Sequence, residues 1–311
     1  MDLLERIRGT GLLPEGGRFV VLLSGGRDSV CLLDVASRIG SEGGVLALHV
    51  NYGLRADAAA DEAACRSLCA RLRAPLEVQR ATRPDDAGNL QAWARDVRYG
   101  AGAELAAHHD ALLLAGHTAT DQAETILYRL ASSPSRRALL GMTVKDGRLV
   151  RPLLGVTREE TAAHCLARGL GWVEDTTNDT ASYARGRVRA GLVPALEAIH
   201  PAAQRNVLRA AQLLRQEAEV LDEIVDTALA GRDHVTLDHL RILPPALGRL
   251  VLRRLAEDAL GGLCPRVSAR FEEVLELADH AMLDLGDGAR AVVRKGTLRF
   301  ERTPPLPVAA H

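Results

Sequence analysis

Through roughly the first half of the chain, short apolar runs alternate with amphipathic stretches. RFVVLLS, VLALHVNY, PLEVQRA and ALLLAGH read as strands. DSVCLLDVASRIG, AAADEAACRSLCARLR, NLQAWARDVRYGAGAELAAHH and DQAETILYRLAS read as the helices that follow them. Near-continuous apolar strands separated by helices predict a parallel sheet covered on both faces. The expected fold is therefore α/β, a doubly wound and mostly parallel sheet, and such folds bind ligands beyond the carboxyl ends of their strands. Three polar strings, SGGRDS, HVNYG and GHTATDQ, fall at those ends.

After about residue 150 the pattern changes. RPLLGVTREETAAHCLARGLGW predicts a turn and a helix capped by Thr157, with Glu159 and Glu160 near its positive end. WVEDTTNDTASYARGRVR is polar and aperiodic, a functional loop or a linker, and a long helix is expected over about 201–230. HVTLDHL then reads as a strand, PALGRLVLRRLAEDAL and SARFEEVLELAD as helices, and AMLDLGDGARAVVRKGTLRFER as a hairpin turning at Gly286-Asp287-Gly288. These make a smaller α+β domain, and the tail TPPLPVAAH is expected to be loose.

Composition narrows the class. At 311 residues, with 47% hydrophobic and 25% charged, the chain can bury cores for two soluble domains. A formal net charge of −1 excludes nucleic-acid binding by overall charge alone. The five cysteines form no CxxC pair, and Cys65 and Cys69 have the spacing of stacked helical core residues. That argues against a disulfide framework or a structural zinc site and fits a reducing compartment. MDLLERIRGTGLLPEGG has no signal-peptide core, and no apolar stretch reaches membrane-spanning length. The expectation is a cytoplasmic chain that does not engage membrane.

SGGRDS sits where a strand gives way to a helix, a place where backbone N–H groups and the helix's positive end can cradle phosphate. Gly25 and Gly26 permit close approach, and Ser24 and Ser29 supply hydroxyls. Asp28 would repel a phosphate unless a cation lay between them, which points to magnesium. An ordinary capped turn is the plainer alternative. The string is neither a Walker A motif nor a GxGxxG fingerprint.

SGGRDS after an apolar strand resembles the pyrophosphate loop of the PP-loop ATP pyrophosphatases. Within that superfamily the chain is similar to the tRNA(Ile)-lysidine synthetases. HVNYGLRADAAADEAAC resembles their HVNHGLR…D segment with Tyr52 in place of histidine, and NLQAWARDVRY their N…AR..RY helix. AGHTATDQAETILYRL resembles GHH..DQ.ET, and LVRPLLGVTREE, GLGWVEDTTND and YARGRVRAGLVPAL follow in family order. The resemblance covers about residues 20–197. It departs at Thr118, at Gly186, and at Ser132-Ser133-Pro134-Ser135 with Arg136-Arg137, where the family has glycines.

The resemblance implies a ligase that adenylates the wobble cytidine of CAU-anticodon isoleucine tRNA with ATP. It then attaches free L-lysine, so that methionine specificity becomes isoleucine specificity. The implied organisation is a PP-loop ATP-binding domain over 1–198, a connecting helix over 199–230 and a small tRNA-contacting α+β domain over 231–303. A further C-terminal domain of longer relatives is expected to be absent, and a homodimer is left open.

Residue by residue, the resemblance implies ATP binding by Ser24, Gly25, Gly26, Arg27, Asp28, Ser29, His49, Val50, Asn51 and Gly116, with Mg2+ on Asp28. Asp28, Arg98, His117, Asp121, Glu124 and Arg189 occupy functional positions, Asp121 and Glu124 facing the lysine. Being three apart, these two carboxylates share a helix face. Each has a plainer reading: helix capping for Asp121, a salt bridge for Glu124, packing for His117, solvation for Arg98. Arg185, Arg187, Arg205 and Arg209 belong to a basic run, 185–215, expected to meet tRNA. Arg249, Arg253, Arg254, Arg266, Arg270, Arg294 and Lys295 extend it as a basic face. A 2-thiolation enzyme and a non-catalytic nucleotide-binding module are the competing readings. The first lacks its cysteine pair here, and the second would not need carboxylates facing lysine.

Overall fold

A computed structural model describes residues 2–53, 58–84, 88–133, 136–174 and 184–304. Pro134 and Ser135, the segment 175–183 of the polar loop, and the tail from 305 lie outside the described residues. Two compact units are present, Met1–Gln212 and Leu213–His311.

The first unit opens with α1 (Leu3–Gly9), β1 (Phe19–Leu22), α2 (Arg27–Ile39), β2 (Val45–Asn51), α3 (Ala58–Leu72) and β3 (Leu76–Arg80). It continues with α4 (Leu90–His108), β4 (Leu112–Leu114), α5 (Ala119–Ser132), the short β5 (Lys145–Asp146) and β6 (Leu149–Val150), and α6 (Arg158–Ala167). Then come α7 (Ala184–Arg187), a π-helical turn (Val188–Leu192), α8 (Val193–Ile199) and α9 (Ala203–Leu229), which extends into the second unit.

The sheet has the order β3-β2-β1-β4-β6-β5, parallel apart from the β5/β6 pair. All four residues of β1 are buried, as a central strand covered on both faces requires. Val21 and Ala47 pack in the core shared with α2, while Val20, Leu22, Leu48 and Val50 pack in a separate core with α4. The chain winds outward through β1, β2 and β3, then returns to β4 on the other side of β1. The carboxyl ends of β1 and β4 thus flank the point where winding reverses, and a crevice opens there.

Helix α6 packs along α2. His164 Nε2 lies 2.8 Å from Asp34 Oδ2, both buried, and Arg168 also reaches Asp34. Burial pushes the Asp34 carboxyl up, but its bonds to His164 and Arg168 outweigh this and hold it below the usual range.

In the second unit the strands are β7 (Val235–Thr236), β8 (Met282–Gly286), β9 (Ala289–Arg294) and β10 (Thr297–Arg302), antiparallel in the order β7-β10-β9-β8. The helices are α10 (Leu237–Ile242), α11 (Pro245–Leu260) and α12 (Phe271–Leu275). Two expectations need correction. HVTLDHL is strand only at Val235–Thr236, because the Thr236 hydroxyl accepts from His239 N–H and starts a helix that buries Leu237 and Leu240. The closing hairpin is a three-stranded meander. Lys295 and Gly296, with φ of 51° and 70°, make a second tight turn that carries the chain into β10.

Candidate active site

A cleft of about 360 Å³ lies at the crevice. The loop after β1 forms one wall. The Ser29 hydroxyl donates to the Gly26 carbonyl at 2.8 Å and lies 3.1 Å from Ser24 Oγ, so the two serines staple the turn across Gly25 and Gly26. Gly25 has φ of +86°, a conformation that a side chain would strain. Gly26 caps α2 without any side-chain hydrogen bond, so the first turn, whose residues line the cleft, has N–H groups that no capping side chain satisfies. Opposite, Gly116 follows β4 so closely that a Cβ there would sit 3.1 Å from the Asp28 carbonyl oxygen.

Helices α5 and α6 also begin at the cleft. Thr118 caps α5: its hydroxyl accepts from Asp121 N–H, and Asp121 Oδ2 accepts in return from Thr118 N–H at 2.9 Å. At this departure from the family pattern, threonine completes a reciprocal cap. Thr157 and Glu160 cap α6 in the same way. The first residue of α6, Arg158, places its Nη2 3.2 Å from Asp121 Oδ1 and its Nε 3.7 Å from Asp28 Oδ2. Thr161, one turn on, donates to Asp28 Oδ1 at 2.5 Å. A cation at a helix N-terminus is unfavourable alone, and these two carboxylates offset it.

The π-helical turn delivers Arg189. Its Nε and Nη2 lie 2.7 and 2.9 Å from the two oxygens of Glu124, and Nη2 lies 3.7 Å from Asp121. Glu124 is only 3% exposed, so its charge is matched by a two-pronged buried pair.

His117 lines the cleft with its Nδ1 buried and, among the described residues, unpartnered. Burial first, then Arg151, Arg98 and Arg95, push its pKa down to about 4 against the opposing Asp121, so the ring is neutral at physiological pH. The Nε atoms of Arg98 and Arg158 and the hydroxyl of Tyr99, all on cleft-lining residues, are likewise buried without a hydrogen-bond partner among the described residues. Such orphaned donors belong at a site that binds a polar ligand.

The scan against protein families matches residues 5–196 to the PP-loop domain. A tRNA(Ile)-lysidine synthase of Salinispora tropica is 40% identical, the match covering 85% of this chain and 83% of that protein. The chain belongs to the tRNA(Ile)-lysidine synthase family. A synthase of that name from Symbiobacterium thermophilum is 34% identical, over 98% of this chain and 70% of its own length. Among solved structures, the U34-tRNA thiolase NcsA of Methanococcus maripaludis, with its [4Fe-4S] cluster, superposes with a TM-score of 0.57 at 18% identity. It covers 68% of this chain and 78% of its own, a likeness of fold alone.

Of the positions carried over from the tRNA(Ile)-lysidine synthase pattern, Ser24, Gly26, Arg27, Asp28, Ser29, Val50, Arg98, Gly116, His117, Asp121 and Arg189 line the cleft. Gly25 lies in the same loop with its α-carbon turned toward Cys65. Glu124 reaches the site through Arg189. Two side chains are placed elsewhere. His49 is buried on the opposite face of β2, with Nδ1 2.9 Å from the Leu23 carbonyl, because alternation along the strand turns Leu48, Val50 and Tyr52 toward the cleft instead. Asn51 is spent on structure: it donates to Glu62 and accepts from Gly53 N–H. Tyr52, at the family's histidine, donates to the Ala94 carbonyl at 2.8 Å and contacts Trp93 edge-on.

Several of the later basic residues are paired within the small unit, while Arg294 and Lys295 are exposed. Arg249 pairs with Glu272, Arg254 with Asp222 and Asp226, Arg266 with Asp287, and Arg270 with Glu273, because acids of the same small unit lie within reach. Arg185, Arg187, Arg205 and Arg209 are exposed. Sequence reading missed Arg158 and Thr161, which TREET disguises as an ordinary capping box.

Among the described residues, no three His, Cys, Asp or Glu side chains form a metal-ligand set. Magnesium suits Asp28 nonetheless, since it is commonly held by one or two carboxylates with phosphate oxygens and water completing the shell.

Proposed function

We propose that this chain adenylates the wobble cytidine of CAU-anticodon isoleucine tRNA and transfers lysine to it. One observation carries the reading: a helix N-terminus with no side-chain cap, bearing Asp28, shares a single cleft with Asp121 and with Arg189, the guanidinium that pairs with Glu124. The first is a phosphate cradle. The second is a place built to hold a cation.

In the first step the cytidine O2 attacks the α-phosphorus of ATP and the bond to the β-phosphate oxygen breaks, releasing pyrophosphate. The N–H groups of α2 and the hydroxyls of Ser24 and Ser29 receive the leaving phosphates, and Leu48, Val50 and Tyr52 give the nucleotide an apolar floor. Magnesium, when bound at Asp28, neutralises phosphate charge during this step. Neutral His117 and the Nε of Arg98 offer hydrogen bonds without adding a carboxylate to an anionic site.

In the second step the lysine ε-amine attacks C2, and O2 leaves with AMP. The ε-ammonium must first lose a proton, and Asp121, a carboxylate that lines the cleft, can accept it. Lysine competes with Arg158 and Arg189 for Asp121 and Glu124, so these guanidiniums hold the site ready while lysine is away. Incubation with ATP, labelled lysine and isoleucine tRNA should label that tRNA and leave methionine tRNA unlabelled. Equal labelling of both would overturn the reading.

A further inference from the structure

At the cleft lies a group of arginines of which ATP and lysine account for Arg98 alone. Arg95 and Arg98 come from α4, Arg129 from α5, Arg151 from the end of β6 and Arg185 from α7. Among the described residues none of the five is ion-paired to a carboxylate, whereas Arg254, Arg270 and Arg290 elsewhere all are.

Their fixings are neutral. Arg129 Nη1 donates to the Gly141 carbonyl and Arg151 Nη1 to the Thr143 carbonyl, each at 2.7 Å, so both are anchored on one short segment. The guanidiniums of Arg95 and Arg98 sit 4.6 and 5.5 Å from the centre of the Tyr99 ring. Arg151 is 6% exposed, and its Nε, like that of Arg98, is buried without a hydrogen-bond partner among the described residues.

Arg129 feels three of the others. Burial, followed by the charges of Arg185, Arg95 and Arg151, lowers the Arg129 pKa, and Arg151, Arg98 and Arg95 all bear on His117. Cations gathered in this way, with no acid among them, are stable only where an anion neutralises them. The phosphates of ATP have their own cradle at α2. A second anion beside the reacting base is a backbone phosphodiester of the RNA that carries it.

We infer that Arg95, Arg98, Arg129, Arg151 and Arg185 form a subsite for the phosphodiesters flanking the target cytidine. The inference rests on the function proposed above. It adds Arg95, Arg129 and Arg151 as residues that grip the strand while the base enters the cleft, with no reading of sequence.

The test is titration of the full chain with a fluorescent CAU-anticodon stem-loop across a range of salt, alongside lysine-transfer kinetics. Arg95→Gln should weaken stem-loop binding about five-fold and cut the slope of log Kd against log salt by about one. Arg95→Gln/Arg129→Gln should cut that slope by about two. The KM for ATP and kcat at saturating tRNA should stay unchanged in Arg95→Gln, and Arg95→Lys should bind nearly as the parent does. Arg95 is exposed and bonds no backbone group, so its variant tests the subsite even if the double variant folds poorly.

Stem-loop binding and salt slope in Arg95→Gln equal to the parent's would overturn the subsite. So would a rise in the KM for ATP matching the loss in RNA binding, which would make the cluster an ATP site. If the parent binds the stem-loop and the variants weaken it, but no lysine is transferred, the subsite stands and the ligase reading falls.

Discussion

The Thr161 hydroxyl donates to Asp28 at 2.5 Å, and this bond joins the first turn of α6 to the first turn of α2. Thr161 is fully buried, so its partner is fixed by packing rather than chosen from solvent. Asp28 is thereby oriented before any ligand arrives, with Arg27 Nε at 3.4 Å and Arg158 Nε at 3.7 Å around it.

Replacement of Thr161 by valine keeps the volume and removes the donor. Loss of a hydrogen bond to a charged group should lower stability by roughly 2 kcal/mol in urea unfolding. Pyrophosphate release should slow at saturating ATP and magnesium, because Asp28 then has to be ordered during the reaction. Serine at 161 should restore most of the rate. An unaltered rate in the valine variant would show that Asp28 needs no anchoring.

Glu124→Ala removes the two-pronged partner of the Arg189 guanidinium and leaves an emptied, buried position beside it. Breaking such a pair from one side costs about 3 kcal/mol. Glu124→Ala/Arg189→Ala should recover part of this, and a double-mutant cycle should return a coupling of at least about 1 kcal/mol. Strict additivity would mean that the two side chains do not depend on each other in solution.

His117 gives the fold a defined acid limit. Its pKa is about 4 in the folded chain and 6.5 as the unperturbed value, so the unfolded chain binds more protons between those pH values. Stability should therefore be full above pH 6.5 and fall as pH drops toward 4, by on the order of 3 kcal/mol from this group. Parallel urea titrations of the parent and His117→Gln measure it. A variant that loses as much stability as the parent over that range would assign the acid sensitivity to other groups.

Gly116→Ala places a methyl against backbone atoms of Asp28 and Ser29, at 3.1 to 3.3 Å, where no flexible side chain can yield. The α2 turn must shift by a few tenths of an ångström. ATP affinity should fall about ten-fold, with a stability loss of roughly 1–2 kcal/mol, in the range of other overpacking changes. Calorimetric binding of ATP with magnesium is the direct measurement. Parent-like affinity would show that the turn tolerates displacement.

The sheet was legible because a parallel strand buried on both faces must be apolar almost throughout, as FVVL and VLALHV are. The cleft's location followed from polar strings at strand ends. Which side chains of HVN enter it did not follow, since motif spelling carries no face: Val50 lines the cleft while His49 and Asn51 support the strand from elsewhere. Arg158 and Thr161 were hidden for a different reason. Their value depends on α6 lying along α2, a contact between residues 133 positions apart for Thr161 and Asp28. In the second unit, VTLD has the alternation of a strand until Thr236 caps a helix, a choice that side-chain chemistry makes locally and periodicity cannot see.

Asp121 serves two masters. Oδ2 closes the cap that begins α5, and Oδ1 faces the guanidiniums of the cleft. Any substitution that removes its acceptor oxygens also loosens the start of the helix that carries Glu124. A chain that no longer needed the reaction would still lose about 1 kcal/mol on replacing Asp121 by alanine. The cap makes this carboxylate hard to discard even where its reaction is no longer needed.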